Sequence, residues 1–251
     1  MTDSVERFSN RVSNYVKYRP DYPREIITHL TKYCGLTVES VIADVGCGPG
    51  MSTRMFLEHG NLVFGVEPND AMRSAAEEYL AEFPRFRPVK GTSDNTTLPD
   101  SSIDLIIAAQ AFHWFDPVKT RPEFKRIAKP GGWTALIWNL RQEETTPFLV
   151  EYEELIRQYS IDYEVVRHNN IADKEIGEFL GPNFKTATFD NKQTFDLTGL
   201  LGRLSSSSYM PTEGHERYAA MAEAVGSLFA KHAQNGRIEI LYDTKLYYAL
   251  T

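Results

Sequence analysis

The segment that most restricts the fold is Val41-Ile42-Ala43-Asp44-Val45-Gly46-Cys47-Gly48-Pro49-Gly50. A short β-branched run leads straight into three glycines at alternate positions, and Met51–Leu57 beyond them reads as a helix. A strand that turns at once into a helix needs residues that tolerate positive φ and carry no Cβ where a ligand approaches. The spacing is GxGxG. It departs from the GxGxxG of dinucleotide-binding turns, and no Gly-Lys-Ser/Thr follows to make a phosphate-cradling loop. Glu67 closes the next apolar run 21 residues after Gly46, placed to accept hydrogen bonds from both hydroxyls of a ribose.

From 41 to 138 short β-branched runs alternate with helical patterns, as in βαβ units on a mostly parallel sheet. Strands are predicted at Val41–Val45, Leu62–Glu67, Phe86–Lys90, Ile103–Ala109 and Trp133–Trp138. Asn69 or Asp70 can cap a helix that gathers Met72, Ala76, Tyr79 and Phe83 on one face. Asp116-Pro117 starts another, with proline at the first helical position, and Lys129-Pro130-Gly131-Gly132 stops it. Beyond residue 140 the pattern changes. Residues 145–181 read as helical, Phe184–Phe189 alternates like a strand, residues 213–233 form a further helix, and Ile238–Leu250 is a long half-buried strand.

The chain is long enough, at 251 residues, to bury roughly 70% or more of its unfolded surface. Its net charge is −7, from 34 acidic and 27 basic residues, and no block of Lys and Arg interrupts it. A nucleic-acid binder concentrates positive charge to neutralise phosphates, so RNA or DNA is not the expected partner. Cys34 and Cys47 form no CxxC pair, and no His cluster has ligand spacing, so neither a disulfide nor a metal site is expected. Met1–Arg7 lacks the basic head and apolar stretch of a signal peptide. Apolar runs such as Ile103–Ala109 are too short to span a bilayer. The expected location is cytoplasmic, with no membrane partner.

The DVGCGPG turn and the strand-end acid resemble the class I methyltransferases that depend on S-adenosylmethionine (SAM). Three more segments narrow the resemblance to the trans-aconitate methyltransferase-like, or type 11, group: Tyr15-Val-Lys-Tyr-Arg19-Pro-Asp-Tyr-Pro23, Gly91-Thr-Ser93-Asp94 with Leu98-Pro99, and Ala109-Gln110-Ala-Phe-His113-Trp-Phe115. The likeness covers the first two-thirds of the chain well and the tail more loosely. It implies one α/β domain over residues 1–251. The sheet would be Rossmann-like, seven-stranded and mostly parallel, with helices on both faces. Residues 1–140 would be the cofactor-binding half, and 141–251 a helical cap plus the last two strands. The final strand would insert antiparallel beside Phe184–Phe189.

The resemblance also implies roles. Gly46 and Gly48 would line the methionine and ribose of SAM, Asp44 would position its amino group, and Glu67 would hold the ribose. Met72 would cover one adenine face, with Ser93 and Asp94 at the adenine edge and Gln110 facing the methionine moiety. Tyr15 and Arg19 would close over the cofactor, Arg19 on its carboxylate. The partner would be a small-molecule acceptor, a carboxylate or a hydroxyl. His113 is the candidate catalytic residue, as a base for a hydroxyl. Arg157, Arg167, His168 and Arg203 are the cations available to an anionic acceptor.

Plainer readings compete on the residues alone. Glu67 can be a solvated strand-end charge, Asp94 a helix cap, Tyr15 and Arg19 helix surface, and Phe112–Phe115 a packed aromatic cluster. Two rival functions stand beside methyl transfer. A nicotinamide-dependent oxidoreductase is disfavoured by the glycine spacing. A SAM-binding protein without turnover would keep the same cofactor residues.

Overall fold

The computed structural model describes residues 17–161, 163 and 173–251. Helix α1 (Glu25–Cys34) precedes β1 (Val41–Val45), α2 (Met51–His59), β2 (Leu62–Val66), α3 (Asp70–Tyr79) and β3 (Phe86–Val89). Then come β4 (Ile103–Ala109), a 3₁₀ turn (Phe112–Trp114), α4 (Pro117–Ile127) and β5 (Ala128–Arg141). The remainder supplies α5 (Pro147–Tyr159), α6 (Asp173–Leu180), β6 (Lys185–Phe195), α7 (Leu197–Ser205), α8 (Tyr218–His232) and β7 (Ile238–Leu250).

The seven strands form one sheet in the order β3-β2-β1-β4-β5-β7-β6. β1 pairs in parallel with β2 and β4, β2 with β3, and β4 with β5. The last strands run antiparallel, and β7 is inserted beside β6 as the resemblance implied. Parallel strands covered on both faces have to be apolar throughout. Ile103–Ala109 meets that demand, with every residue buried except the half-buried Asp104. Asp104 accepts from Val41 N at 2.8 Å and from Lys129 Nζ at 2.7 Å.

The predicted helix caps lie where the sequence put them. Asn69, rather than Asp70, caps α3, accepting from Ala71 N and Met72 N at 2.9 and 3.2 Å. Asp116 caps α4, accepting from Val118 N and Lys119 N at 3.1 and 3.3 Å, with Pro117 following. The β4–β5 ladder pairs Ile103 with Ala128 and then Leu105 with Trp133. Lys129–Gly132, expected to separate α4 from the fifth strand, instead lies inside β5, as the bulge in that register shift.

Other features differ from the sequence expectation, β5 among them, which runs Ala128–Arg141 against the predicted Trp133–Trp138. α1 was not foreseen. β6 continues six residues past Phe189, through Asp190-Asn191-Lys192, to Phe195. It is an edge strand with few buried residues, so neither apolar alternation nor a turn-free composition is required of it. The long predicted helical stretch 145–181 holds two helices among its described residues, α5 and α6.

The chain divides into two compact units. One comprises 1–20, 140–170 and 190–243, and the other comprises 21–139, 171–189 and 244–251. The first has a core of Leu149, Tyr152, Leu200, Val225 and Ile240 with their neighbours. In the second, Ile42, Phe56, Val63, Leu105, Ile107 and Leu246 belong to a common core. No described helix is long and apolar enough to cross a membrane.

Candidate functional site

In the sheet order, β1 lies between β2 and β4, so the crossover reverses between β1 and β4. Open α/β sheets bind ligands outside the carboxyl ends of strands at such a reversal. Asp44 and the glycine turn sit at the end of β1, Glu67 at the end of β2 and Gln110 at the end of β4. All belong to the second unit.

The turn is held by its own backbone. Gly46 N and Cys47 N donate to Val66 O at 2.8 and 3.2 Å, and Gly50 N to Cys47 O at 3.0 Å. Gly46 and Gly48 have φ of 72° and 55°, in the left-handed region that side chains rarely enter. The two glycines have different second constraints. A Cβ on Gly46 would lie 2.7 Å from Ala111 Cβ and 3.4 Å from the Phe115 ring, so this position is fixed by packing. A Cβ on Gly48 would meet nothing within 4 Å. That side of the turn is an open cradle.

Glu67 ties the turn to the next helix. Its Oε2 accepts from Gly48 N at 3.0 Å and its Oε1 from Asn69 N at 2.9 Å. It is buried, and burial pushes its pKa up against the lowering pull of those two N–H groups. The solvated-charge reading of Glu67 is thereby excluded. Arg73 reinforces the corner, donating to Glu67 O at 3.1 Å and to Asp70 Oδ1 at 2.6 Å.

Asp44 is fully buried, and desolvation raises its pKa to about 6 despite hydrogen bonds that favour the carboxylate. Those bonds come from Ser52 Oγ at 2.7 Å and Thr53 Oγ1 at 2.6 Å, both to Oδ2. Oδ1 is enclosed and has no partner. Gln110, at φ 53°, is a non-glycine residue in the left-handed region. Its Nε2 donates to Asn139 O at 3.1 Å, which turns Oε1 away, and Oε1 too is enclosed without a partner. Buried acceptors are normally satisfied, and strained backbone collects at functional positions. These two acceptors are left unsatisfied by the described residues.

The other expected residues are distributed as follows. Met72 is buried at the start of α3. Ser93 Oγ accepts from Thr120 Oγ1 at 2.8 Å, and the exposed Asp94 accepts from Thr92 Oγ1 at 2.7 Å in a turn, not at a helix start. His113 lies in the 3₁₀ turn, 4.9 Å from the Trp114 ring, and lines a cavity of about 930 Å³ with Phe112, Phe115, Arg121 and Phe179. Arg19 is in the other unit, where its Nη2 donates to Ser206 O at 3.0 Å. Tyr15, Arg167 and His168 lie outside the described residues. Sequence reasoning missed Ser52, Thr53 and Asn139. Two hydroxyl residues just after a glycine turn that an acid precedes were the available signal for the first pair; a backbone carbonyl gives none for the third.

Comparison with known proteins agrees with this geometry. Residues 43–136 match the family model described as a methyltransferase domain. That span is similar to methyltransferase domains. An uncharacterized methyltransferase of Mycobacterium tuberculosis is 35% identical over 136 residues, 54% of this chain and 53% of the relative. The chain thus spans about half the length of such relatives. An uncharacterized methyltransferase-like protein of Schizosaccharomyces pombe is 25% identical over 244 residues, covering 96% of this chain and 93% of its own. The fold of a type II methyltransferase from Anaeromyxobacter dehalogenans superposes with a TM-score of 0.68 at 22% identity, over 93% of this chain and 98% of that one. Asp44, Glu67 and Gln110 all fall within the matched methyltransferase domain.

Proposed function

We propose that the chain binds SAM at the ends of β1, β2 and β4 and transfers its methyl group to a small-molecule acceptor bearing a carboxylate or a hydroxyl. The observation that carries this reading is the pair of enclosed, partnerless oxygens, Asp44 Oδ1 and Gln110 Oε1. A buried acceptor without a donor costs about 1–3 kcal/mol. An ammonium group is the donor that matches a carboxylate and an amide oxygen, and the open side of Gly48 leaves room for a ligand beside them. A dinucleotide offers no ammonium group there.

SAM, when bound, supplies a methyl group already activated on a sulfonium. The chain's part is to hold, orient and exclude water. Asp44 takes the ammonium, and Glu67 accepts from the ribose hydroxyls with the lone pairs left by Gly48 and Asn69. Met72 covers the adenine, Ser93 and Asp94 meet its edge, and Gln110 faces the methionine moiety. Alignment of two reactants is worth on the order of 7–11 kcal/mol. A carboxylate acceptor arrives ionised, since its reference pKa is about 4, and leaves His113 no proton to remove. A hydroxyl acceptor makes His113 the base.

S-adenosylhomocysteine, the demethylated product, is expected to stabilise the fold, and NAD is not. Ligand at about 100 times its dissociation constant adds roughly 2.7 kcal/mol. Equal thermal shifts with both, or a shift with NAD alone, would contradict the reading.

A further inference from the structure

We propose a second ligand site, for an oxyanion, in the unit formed by 140–170 and 190–243, with Arg203 at its centre and Arg141 beside it. The site shares a unit with Arg19 but contains none of the strand-end residues Asp44, Glu67 and Gln110, and the inference holds whether or not the chain transfers methyl groups. Arg203, in the last turn of α7, is 7% exposed. A guanidinium stays protonated in any protein environment, so burying one is costly unless an anion comes with it. The partners of Arg203 are neutral: Nε donates to Tyr242 Oη at 3.2 Å and Nη1 to Ser207 Oγ at 3.1 Å. Tyr242 Oη in turn donates to Gln193 Oε1 at 2.9 Å, which turns its lone pairs toward Arg203. Among the described residues Nη2 has no acceptor, and no carboxylate pairs with this side chain.

Arg141 adds a second cation. Its Nη2 pairs with Glu153, its guanidinium carbon lies 5.2 Å from the centre of the Tyr152 ring, and its Nη1 is enclosed without an acceptor. Glu153 is itself shared with Arg157 Nε at 2.9 Å. Tyr152 and Tyr209 are close enough to both Arg141 and Arg203 to interact with them electrostatically. Arg203, which has no carboxylate partner, and Arg141, which shares its carboxylate with Arg157, leave positive charge uncompensated. Unused N–H groups on Arg203 and Arg141 are what a carboxylate or phosphate group accepts from, with tyrosine hydroxyls as further donors.

The test is thermal unfolding of the whole chain with inorganic phosphate or malonate, against sodium chloride at matched ionic strength, in wild type and in Arg203→Met and Arg203→Lys. Wild type is expected to be stabilised by at least one anion beyond chloride. Arg203→Met is expected to lose this, with at least about tenfold weaker anion affinity, while keeping its response to S-adenosylhomocysteine. Arg203→Lys keeps the charge but not the fork, and is expected to retain a weakened response. Stabilisation by malonate alone identifies a carboxylate ligand, and by phosphate alone a phosphorylated one. Stabilisation by both identifies a site for either oxyanion. In wild type, the effective anion is also expected to slow hydrogen exchange in α7, a readout that stands if the variants do not fold. No stabilisation beyond chloride, undiminished stabilisation in Arg203→Met, or unchanged exchange in α7 would overturn the proposal.

Discussion

Asp44 joins stability, acidity and ligand binding in one carboxylate. Because the fold raises its pKa from 3.8 to about 6, the folded chain holds that proton more tightly than the unfolded chain. Its contribution to stability without ligand therefore grows as pH falls from about 6 toward 4, where both states become protonated. A ligand ammonium reverses the preference, since it needs the carboxylate. Affinity for S-adenosylhomocysteine is expected to fall below pH about 6, approaching tenfold per unit, with proton release on binding. Asp44→Asn should bind weakly with a flat profile. Calorimetry in buffers of different ionisation enthalpy checks this, and binding near pH 6 without proton release would contradict it.

The two glycines separate packing from binding at the same scale. Gly46→Ala combines left-handed strain of about 1–2 kcal/mol with a close approach to Ala111, so it should destabilise the fold itself. Gly48→Ala has similar strain but no clash. It should stay folded and lose ligand affinity, because its methyl group projects into the cradle. Unfolding midpoints and calorimetry distinguish these outcomes, and wild-type affinity in Gly48→Ala would misplace the ligand. Glycines and a strand-end acid were legible in the sequence because few residues tolerate those backbone and burial conditions. The left-handed φ of Gln110 was not legible, because a glutamine there is imposed by its surroundings rather than by its own preferences.

Elements were legible wherever local chemistry and hydrophobic period agreed. Asp116 before Pro117 announced α4, and its carboxylate is found on Val118 N and Lys119 N. Asp116→Ala removes that acceptor and should cost about 1 kcal/mol, lowering the unfolding midpoint by roughly 2–4 °C for a chain of this size. Affinity for S-adenosylhomocysteine should hardly change, and an unaltered midpoint would show that the cap is replaced by water. β6 shows the opposite situation. Its polar centre, Asp190-Asn191-Lys192, spells a turn, and hydrogen bonding within the sheet overrides that local preference. α1 buries Ile26 and Leu30 but carries two half-exposed aromatic or threonine-rich turns, Thr28-His29 and Thr31-Lys32-Tyr33, that obscure its period.

At the scale of the whole molecule, the alternation of strands and helices up to residue 138 announced an α/β sheet, and the strand order bears that out. The interleaving of the two compact units was not legible, since three of their boundaries fall inside β5, β6 and β7, where no glycine-rich linker marks them. The net charge of −7 disfavours polyanions, which makes small molecules the first acceptors to screen. The central claim is methyl transfer, and product formation tests it most directly. The chain and its His113→Asn variant are incubated with methyl-labelled SAM and two sets of acceptors, small carboxylic acids and phenols, and the products are identified by mass spectrometry. The account predicts label in a small-molecule product, abolished by Asp44→Asn at limiting SAM. For a carboxylic acid, His113→Asn should retain most of the rate; for a phenol, it should lose on the order of 10²–10⁴. Tight binding of SAM with no labelled product from either set or from a whole metabolite extract would contradict it and leave a binding protein without turnover.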